Sequence, residues 1–167
     1  MSIICFNTAI GVNTGIVYDL ALQANGNIIV VGSFSKYNGV NANKIARILP
    51  NGNLDATFIT GLGASATIEE VQIQLDGKII LSGSFDSFNG ALNTVKIVRL
   101  NVGGDVDATF VSGTGFDATI TALELQPDGK ILVGGAFTTY NGASANRIVR
   151  LNTDGSVDAG FISGLGF

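Results

Sequence analysis

The sequence contains no histidine and no tryptophan, one cysteine and two prolines, and only 13% of its 167 residues are charged. Each scarcity excludes something. Without histidine the chain lacks the usual general base near neutral pH, the commonest metal ligand and any Ser-His-Asp arrangement. A lone cysteine leaves no zinc site and no intrachain disulfide. Beside Ile3, Ile4 and Phe6, Cys5 reads as a small apolar residue rather than a reactive thiol, because no base or cation adjoins it. Nine Lys and Arg, scattered among thirteen Asp and Glu, give a net charge of −4. Nucleic-acid binding needs cations that displace counterions from phosphates, so it is not expected. No apolar run approaches the roughly 18 residues that span a bilayer, and membrane insertion is not expected. The first residues lack a basic segment and a long apolar stretch, so no signal peptide is expected either.

What is abundant is glycine, 23 residues, within a chain that is 46% hydrophobic. The glycines punctuate a repeat. Gln23-Ala-Asn-Gly-Asn-Ile-Ile-Val-Val-Gly-Ser-Phe34 returns as Gln74-Leu-Asp-Gly-Lys-Ile-Ile-Leu-Ser-Gly-Ser-Phe85 and as Gln126-Pro-Asp-Gly-Lys-Ile-Leu-Val-Gly-Gly-Ala-Phe137, at spacings of 51 and 52 residues. A period of that length in a β-rich chain predicts one propeller blade or solenoid unit per copy.

In the third copy Ile120–Gln126 alternates with period two and predicts a first strand. Asp128-Gly129, matched by Asn25-Gly26 and Asp76-Gly77, predicts a two-residue hairpin turn. Lys130–Phe137 is apolar on both faces, as a strand between neighbouring sheets would be. Gly135, with Gly32 and Gly83, is expected where backbones approach closely. An aromatic-Asn-Gly loop follows, then a third strand at Arg147–Asn152 and a fourth at Ser156–Phe161. Helical periodicity is absent. The fold expected is all-β: three four-stranded antiparallel blades over 12–63, 64–115 and 116–167, preceded by a lead-in strand over 1–11.

The run 126–137, then Tyr140-Asn-Gly142, Asn146-Arg-Ile-Val-Arg-Leu-Asn152 and Asp154-Gly-Ser-Val-Asp158, resembles the delta-60 repeat, an uncharacterised bacterial and phage β-propeller repeat family. The resemblance covers nearly all of 12–166 over about 35 positions per copy. Copy one departs most, with Asn25 and Asn27 in place of Asp and Lys; copy two carries an extra residue near Asn93-Thr94. The resemblance implies no catalytic residues. Its long members are similar to secreted surface proteins and some occur among phage virion proteins, so a virion or extracellular surface is the expected setting.

Closed propellers have about four to eight blades, and three wedge-shaped sheets cannot close around an axis. An open array would expose apolar blade faces, and no polar cap is visible. The expectation is half of a six-bladed ring completed by a second chain, with Ile3–Phe6 sealing the join. A homodimer is favoured, and other structural subunits are the alternative.

Three residue sets invite a site. Asp55, Asp107 and Asp158 suggest calcium, but Arg47, Arg99 and Arg150 recur in step and predict structural ion pairs instead. Glu69-Glu70 suggests a glycosidase pair, but alternation should point the two to opposite faces, a solvated strand with Asp19 opposite. Tyr37-Asn38, Phe88-Asn89 and Tyr140-Asn141 could stack on and hydrogen-bond a glycan or a surface receptor, but a turn whose aromatic packs between blades is the favoured reading, since packing alone would also require the recurrence. No metal, cofactor or enzymatic activity is expected. The function expected is a structural or protein-interaction module, a phage virion or appendage component, with a carbohydrate- or receptor-binding propeller as the alternative.

Overall fold

A computed structural model of the chain describes residues 11–12, 14–91 and 96–161. The lead-in strand apart from Gly11, Cys5, the sealing segment Ile3–Phe6, the extra residue near Asn93-Thr94 and the closing Gly164-Leu-Gly166 lie outside these residues. Among the described residues there is no helix, only strands, turns and bridges.

Each copy folds into a three-stranded antiparallel sheet with its second strand in the middle. In unit 1, β1 (Val17–Leu22), β2 (Ile28–Gly32) and β5 (Ile45–Ile48) pair in that order, and β3 (Lys36–Tyr37) with β4 (Val40–Asn41) forms a separate hairpin. Unit 2 pairs β6 (Ile68–Ile73), β7 (Ile79–Gly83) and β8 (Ile97–Leu100), and its hairpin shrinks to the Phe88–Ala91 bridge. Unit 3 pairs β9 (Ile120–Leu125), β10 (Ile131–Gly135) and β13 (Ile148–Leu151), with the hairpin of β11 (Thr139–Tyr140) and β12 (Ala143–Ser144).

Two local expectations need correction. The fourth strand is only a single bridge per unit, Ile48–Leu54, Leu100–Val106 and Leu151–Val157. The aspartate that follows draws the chain out of the ladder: Asp55 Oδ1 accepts from Thr57 N at 2.9 Å, and the Asp55 carbonyl accepts from Phe58 N at 3.2 Å. A side-chain-capped turn of this kind competes with strand pairing for the backbone donors. The hairpin after the first strand is also not a two-residue turn. Gly77 N donates to the Gln74 carbonyl at 2.9 Å, and Gln74 N to the Lys78 carbonyl at 2.8 Å. Gly77 takes φ +83° while Asp76 is not left-handed, and Asp76 Oδ1 accepts from Lys78 N at 3.1 Å. This is a three-residue loop ending in a glycine bulge, with the Asp carboxylate acting as a turn acceptor.

The central strand of unit 2, β7, is buried throughout because a sheet lies on each side of it. Ile29 and Val31 of β2 join Ile79 and Leu81 of β7 in one cluster, and Ile80 of the same strand joins Ile131 and Val133 of β10 in the next. Covering a side chain of Leu or Ile size in this way contributes about 2 kcal/mol. The first strands β1, β6 and β9 lie side by side, β1 against β6 and β6 against β9. Asp19 Oδ2 accepts from Val71 N at 2.9 Å, and Gln72 Nε2 donates to the Leu123 carbonyl at 3.2 Å. Backbone bonds also cross the joints, Ile59 N to Gly103 O at 2.9 Å and Val111 N to Asp154 O at 2.7 Å.

Candidate interaction site

The joints between units are built around arginine. Arg47, Arg99 and Arg150 lie on the third strands β5, β8 and β13, and their partners follow one tight turn later. Arg47 Nε meets Asp55 Oδ2 at 2.7 Å, Arg99 Nε meets Asp107 Oδ2 at 2.8 Å, and Arg150 Nε meets Asp158 Oδ2 at 2.7 Å. Each guanidinium sits over a ring, Phe58 at 4.6 Å, Phe110 at 4.9 Å and Phe161 at 5.0 Å. The far nitrogens reach into the next unit: Arg47 Nη1 donates to Val102 O at 2.6 Å, and Arg99 Nη1 donates to Thr153 O.

Lysines add to two of these sites. Lys78 Nζ lies 2.8 Å from Asp107 Oδ2, and Lys130 Nζ 2.9 Å from Asp158 Oδ2. Burial alone would raise the Asp107 pKa, but the bonds from Lys78 and Thr109 and the charge of Arg99 outweigh it, so the carboxyl stays far below the usual range. Asp158 is held at about 2, chiefly by Lys130, then by Gly160 N and Arg150. These carboxylates are already filled by cations and N–H donors, which leaves no coordination for calcium. Among the described residues no group of three or more His, Cys, Asp or Glu is placed to hold a metal.

The aromatic-Asn-Gly loops are also committed internally. Phe88 and Tyr140 are buried and Tyr37 is half-buried. Tyr140 lies 4.3 Å from Phe116 between ring centroids and donates to the Gly155 carbonyl at 2.6 Å; Tyr37 donates to Gly52 O at 2.9 Å. Asn38, Asn89 and Asn141 are left-handed, as a two-residue Asn-Gly hairpin turn requires. Their Oδ1 atoms accept from Gly11 N at 2.7 Å, Leu62 N at 3.0 Å and Thr114 N at 3.1 Å. The amides thus pin each copy to the turn before it.

The repeated glycines sit where two backbones nearly touch. A Cβ on Gly32 would lie 1.9 Å from Ile16 O, one on Gly83 2.4 Å from Thr67 O, and one on Gly135 2.3 Å from Thr119 O. The register shifts at these same points, between Val17 and Asp19, between Ile68 and Glu70, and between Gly134 and Gly135. The bulge breaks the strict alternation on which the Glu69–Glu70 reading depends. Glu70 is only half-exposed, and its pKa is raised first by burial, then by the charges of Asp19 and Glu69. Both glutamates are half-buried, and burial is the first cause of the raised pKa of each.

A cleft of about 670 Å³ opens between units 2 and 3 at the turns after their first strands, lined by Ile73, Leu75, Leu125 and Pro127 with Gln74 and Gln126. Lys78 and Arg99 also line it, but both are bonded to Asp107, so the cleft offers an apolar notch rather than an anion site.

A family described as "Domain of unknown function (DUF5122) beta-propeller" matches residues 23–58, 74–110 and 126–161. The chain belongs to this family. The three matched stretches of this DUF5122 protein each run from the conserved-in-repeat glutamine to the phenylalanine under the arginine, so they enclose the joint just described. No curated protein matches the chain. Among solved structures it is similar to a protein of unknown function from Bacteroides caccae, at 16% identity and a TM-score of 0.47, over 83% of this chain and 46% of that one. It is also similar to a catalytically inactive virginiamycin B lyase from Staphylococcus aureus with quinupristin, at 22% identity and a TM-score of 0.47, over 89% of this chain and 42% of that one. The DUF5122 chain thus spans less than half the length of these two proteins.

The sequence did not single out the exposed apolar residues of β1. Leu20 of β1 is 60% exposed and Leu22 is 69% exposed, whereas the repeat equivalents of Leu20, Val71 and Leu123, are 2% and 4% exposed. At the other end, Leu132, Gly134, Ile148 and Arg150 are only half-buried, whereas their equivalents in unit 1, Ile29, Val31, Ile45 and Arg47, are buried. A shallow depression of about 300 Å³ is lined there by Ala122, Leu132, Gly134 and Ile148, with the carboxylates of Glu124 and, from unit 2, Glu70. The repeat alignment held the signal, because positions identical in pattern must differ in environment at the first and last copies.

Proposed function

We propose that this DUF5122 chain is a non-enzymatic module whose role is to hold protein surfaces together, and that its end faces are the contact surfaces. One observation carries the reading. The β1 face that bears Leu20 and Leu22 is exposed, while the matching faces of units 2 and 3 are covered by a neighbouring sheet. Exposed contiguous apolar surface of this sort marks an interaction site. The chemistry points the same way: the repeated Arg, Asp, Asn and aromatic side chains are spent on joints and turns, and histidine is absent.

A component of a larger particle, such as a virion or an appendage, suits a module of this kind. The carbohydrate-binding alternative gains no support from the loops, whose rings at Phe88 and Tyr140 are buried.

Light scattering on the parent, Leu20→Glu and Leu75→Glu tests the reading. Leu75 is fully exposed and lies on a turn away from the β1 face, so its variant is the control. The expected result is a parent mass above that of one chain, reduced to one chain by Leu20→Glu and unchanged by Leu75→Glu. A parent that runs as a single chain at every concentration contradicts the reading.

A further inference from the structure

We infer that a second copy of this chain docks head to tail, with the Arg150 face of unit 3 in one copy against the β1 face of unit 1 in the other, and that two such contacts close a two-chain ring. This rests on the interaction-module reading and adds the occupant and the register.

The argument comes from the two joints inside the chain, which already mate these faces twice. At the first, Arg47 Nη1 crosses to the carbonyl of Val102; at the second, Arg99 Nη1 crosses to that of Thr153. The repeat equivalent of Val102 and Thr153 in unit 1 is Pro50, which is exposed. Arg150 is the remaining donor of the series. Its Nε is held by Asp158 at 2.7 Å, and its side chain is 24% exposed, against 9% for Arg47 and 7% for Arg99. Thr57 and Thr109 accept from the Nη2 atoms of Arg47 and Arg99, but Gly160 stands in that place in unit 3 and offers no hydroxyl. Among the described residues the outer guanidinium nitrogens of Arg150 meet no counterpart of Val102 O or Thr153 O, and an acceptor equivalent to these, supplied by another copy, would complete them.

At the first strand the apolar parts match in the same register. Val71 and Leu123 are covered by the preceding sheet at the internal joints, and Leu20 is their uncovered equivalent. Ile29 and Ile45 cover the next sheet at the first joint, and Leu132 and Ile148 are their uncovered equivalents. The unit 1 equivalents of Leu81, Val98 and Leu100, which are Val30, Ala46 and Ile48, are already buried within the chain, so the new contact departs from the internal joints there and is confined to the β1 edge at Leu20. A head-to-head pairing of two β1 faces would leave Arg150 without an acceptor and would copy no joint in the molecule. Head-to-tail contacts form a closed ring if the rotation per unit completes a turn and a filament if it does not. Wedge-shaped sheets packed at repeated joints favour closure.

The test is a mixing experiment with the full chain, read by light scattering. Leu20→Glu spoils the head and Ile148→Glu spoils the tail; Leu132→Glu replaces the latter should it fail to melt cooperatively. The parent is expected at twice the mass of one chain. Each variant alone is expected at one chain mass. The equimolar mixture is expected to regain the two-chain mass at raised concentration, because an intact tail then meets an intact head. If Leu20→Glu dissociates the assembly and both tail variants leave it whole, the contact is head to head; this inference falls and the interaction-module reading stands. Fibres or masses above two chains overturn the closed ring, and a single-chain parent overturns both readings.

Discussion

At the residue scale the molecule depends on carboxylates that are held charged in partly dry surroundings. Asp107 receives Arg99 Nε, Lys78 Nζ, Thr109 N and Thr109 Oγ1. Replacing it with Asn leaves two cations facing a neutral amide. Loss of one partner of a buried ion pair costs about 3–5 kcal/mol, and Asp107→Asn is expected to lose stability on that order in urea melts. Asp158→Asn should lose less, because Arg150 is more exposed than Arg99; an equal loss would show that burial does not set the value of these pairs. The acid limb follows from the same groups. Asp158 and Asp117 titrate at about 2 in the folded chain against 3.8 in the unfolded one, Asp117 chiefly through its bond from the Thr138 hydroxyl. The folded state then binds fewer protons, so their stabilisation is complete above the unfolded value and is lost as pH falls from about 4 through 2. Melting temperatures measured across that range should fall steadily, and a flat profile would contradict the assignment.

At the scale of the element, the bulge beside the repeated glycine sets the shape of each first strand. A Cβ on Gly83 meets a backbone carbonyl at 2.4 Å, whereas one on Gly142 meets nothing within 4 Å but sits at φ +77°. Gly83→Ala must push two strands apart and is expected to cost about 1–3 kcal/mol. Gly142→Ala carries only left-handed backbone strain of about 1 kcal/mol. Calorimetry on the two variants should return that order. The same bulge brings Glu70 near Glu69 and Asp19. Because the Glu70 pKa is raised, the folded state favours the protonated form, and its contribution is lost as pH rises through the folded value. Glu70→Gln should therefore melt higher than the parent at pH 7, with the gain vanishing towards pH 4.

Much of this level could be read from the sequence. The strands announced themselves through period-two alternation and through runs apolar on both faces, as at Lys130–Phe137. The Arg and Asp recurring in step gave away partners eight residues apart. The bulge could not be read, because it is fixed by which carbonyl opposes Gly83 rather than by any residue type. The short fourth strand was hidden for a related reason: Val157 suits a strand, but Asp158 next to it captures the N–H of Gly160 and turns the chain away.

At the scale of the whole molecule the three sheets form a series of like joints with unlike ends. The repeat made the joints legible, since positions such as Ile80 and Leu81 had to face neighbours on both sides. It could not reveal which ends stay open, because Leu20 and Leu123 look alike in sequence and differ only in what lies beside them. On the reading proposed above, the open β1 face is completed by another surface. Sedimentation velocity of the unaltered chain across a wide concentration range tests it most directly. A species heavier than one chain, dissociating on dilution, is expected; a single-chain species throughout, at the highest concentration as at the lowest, would contradict completion of the β1 face by a second surface.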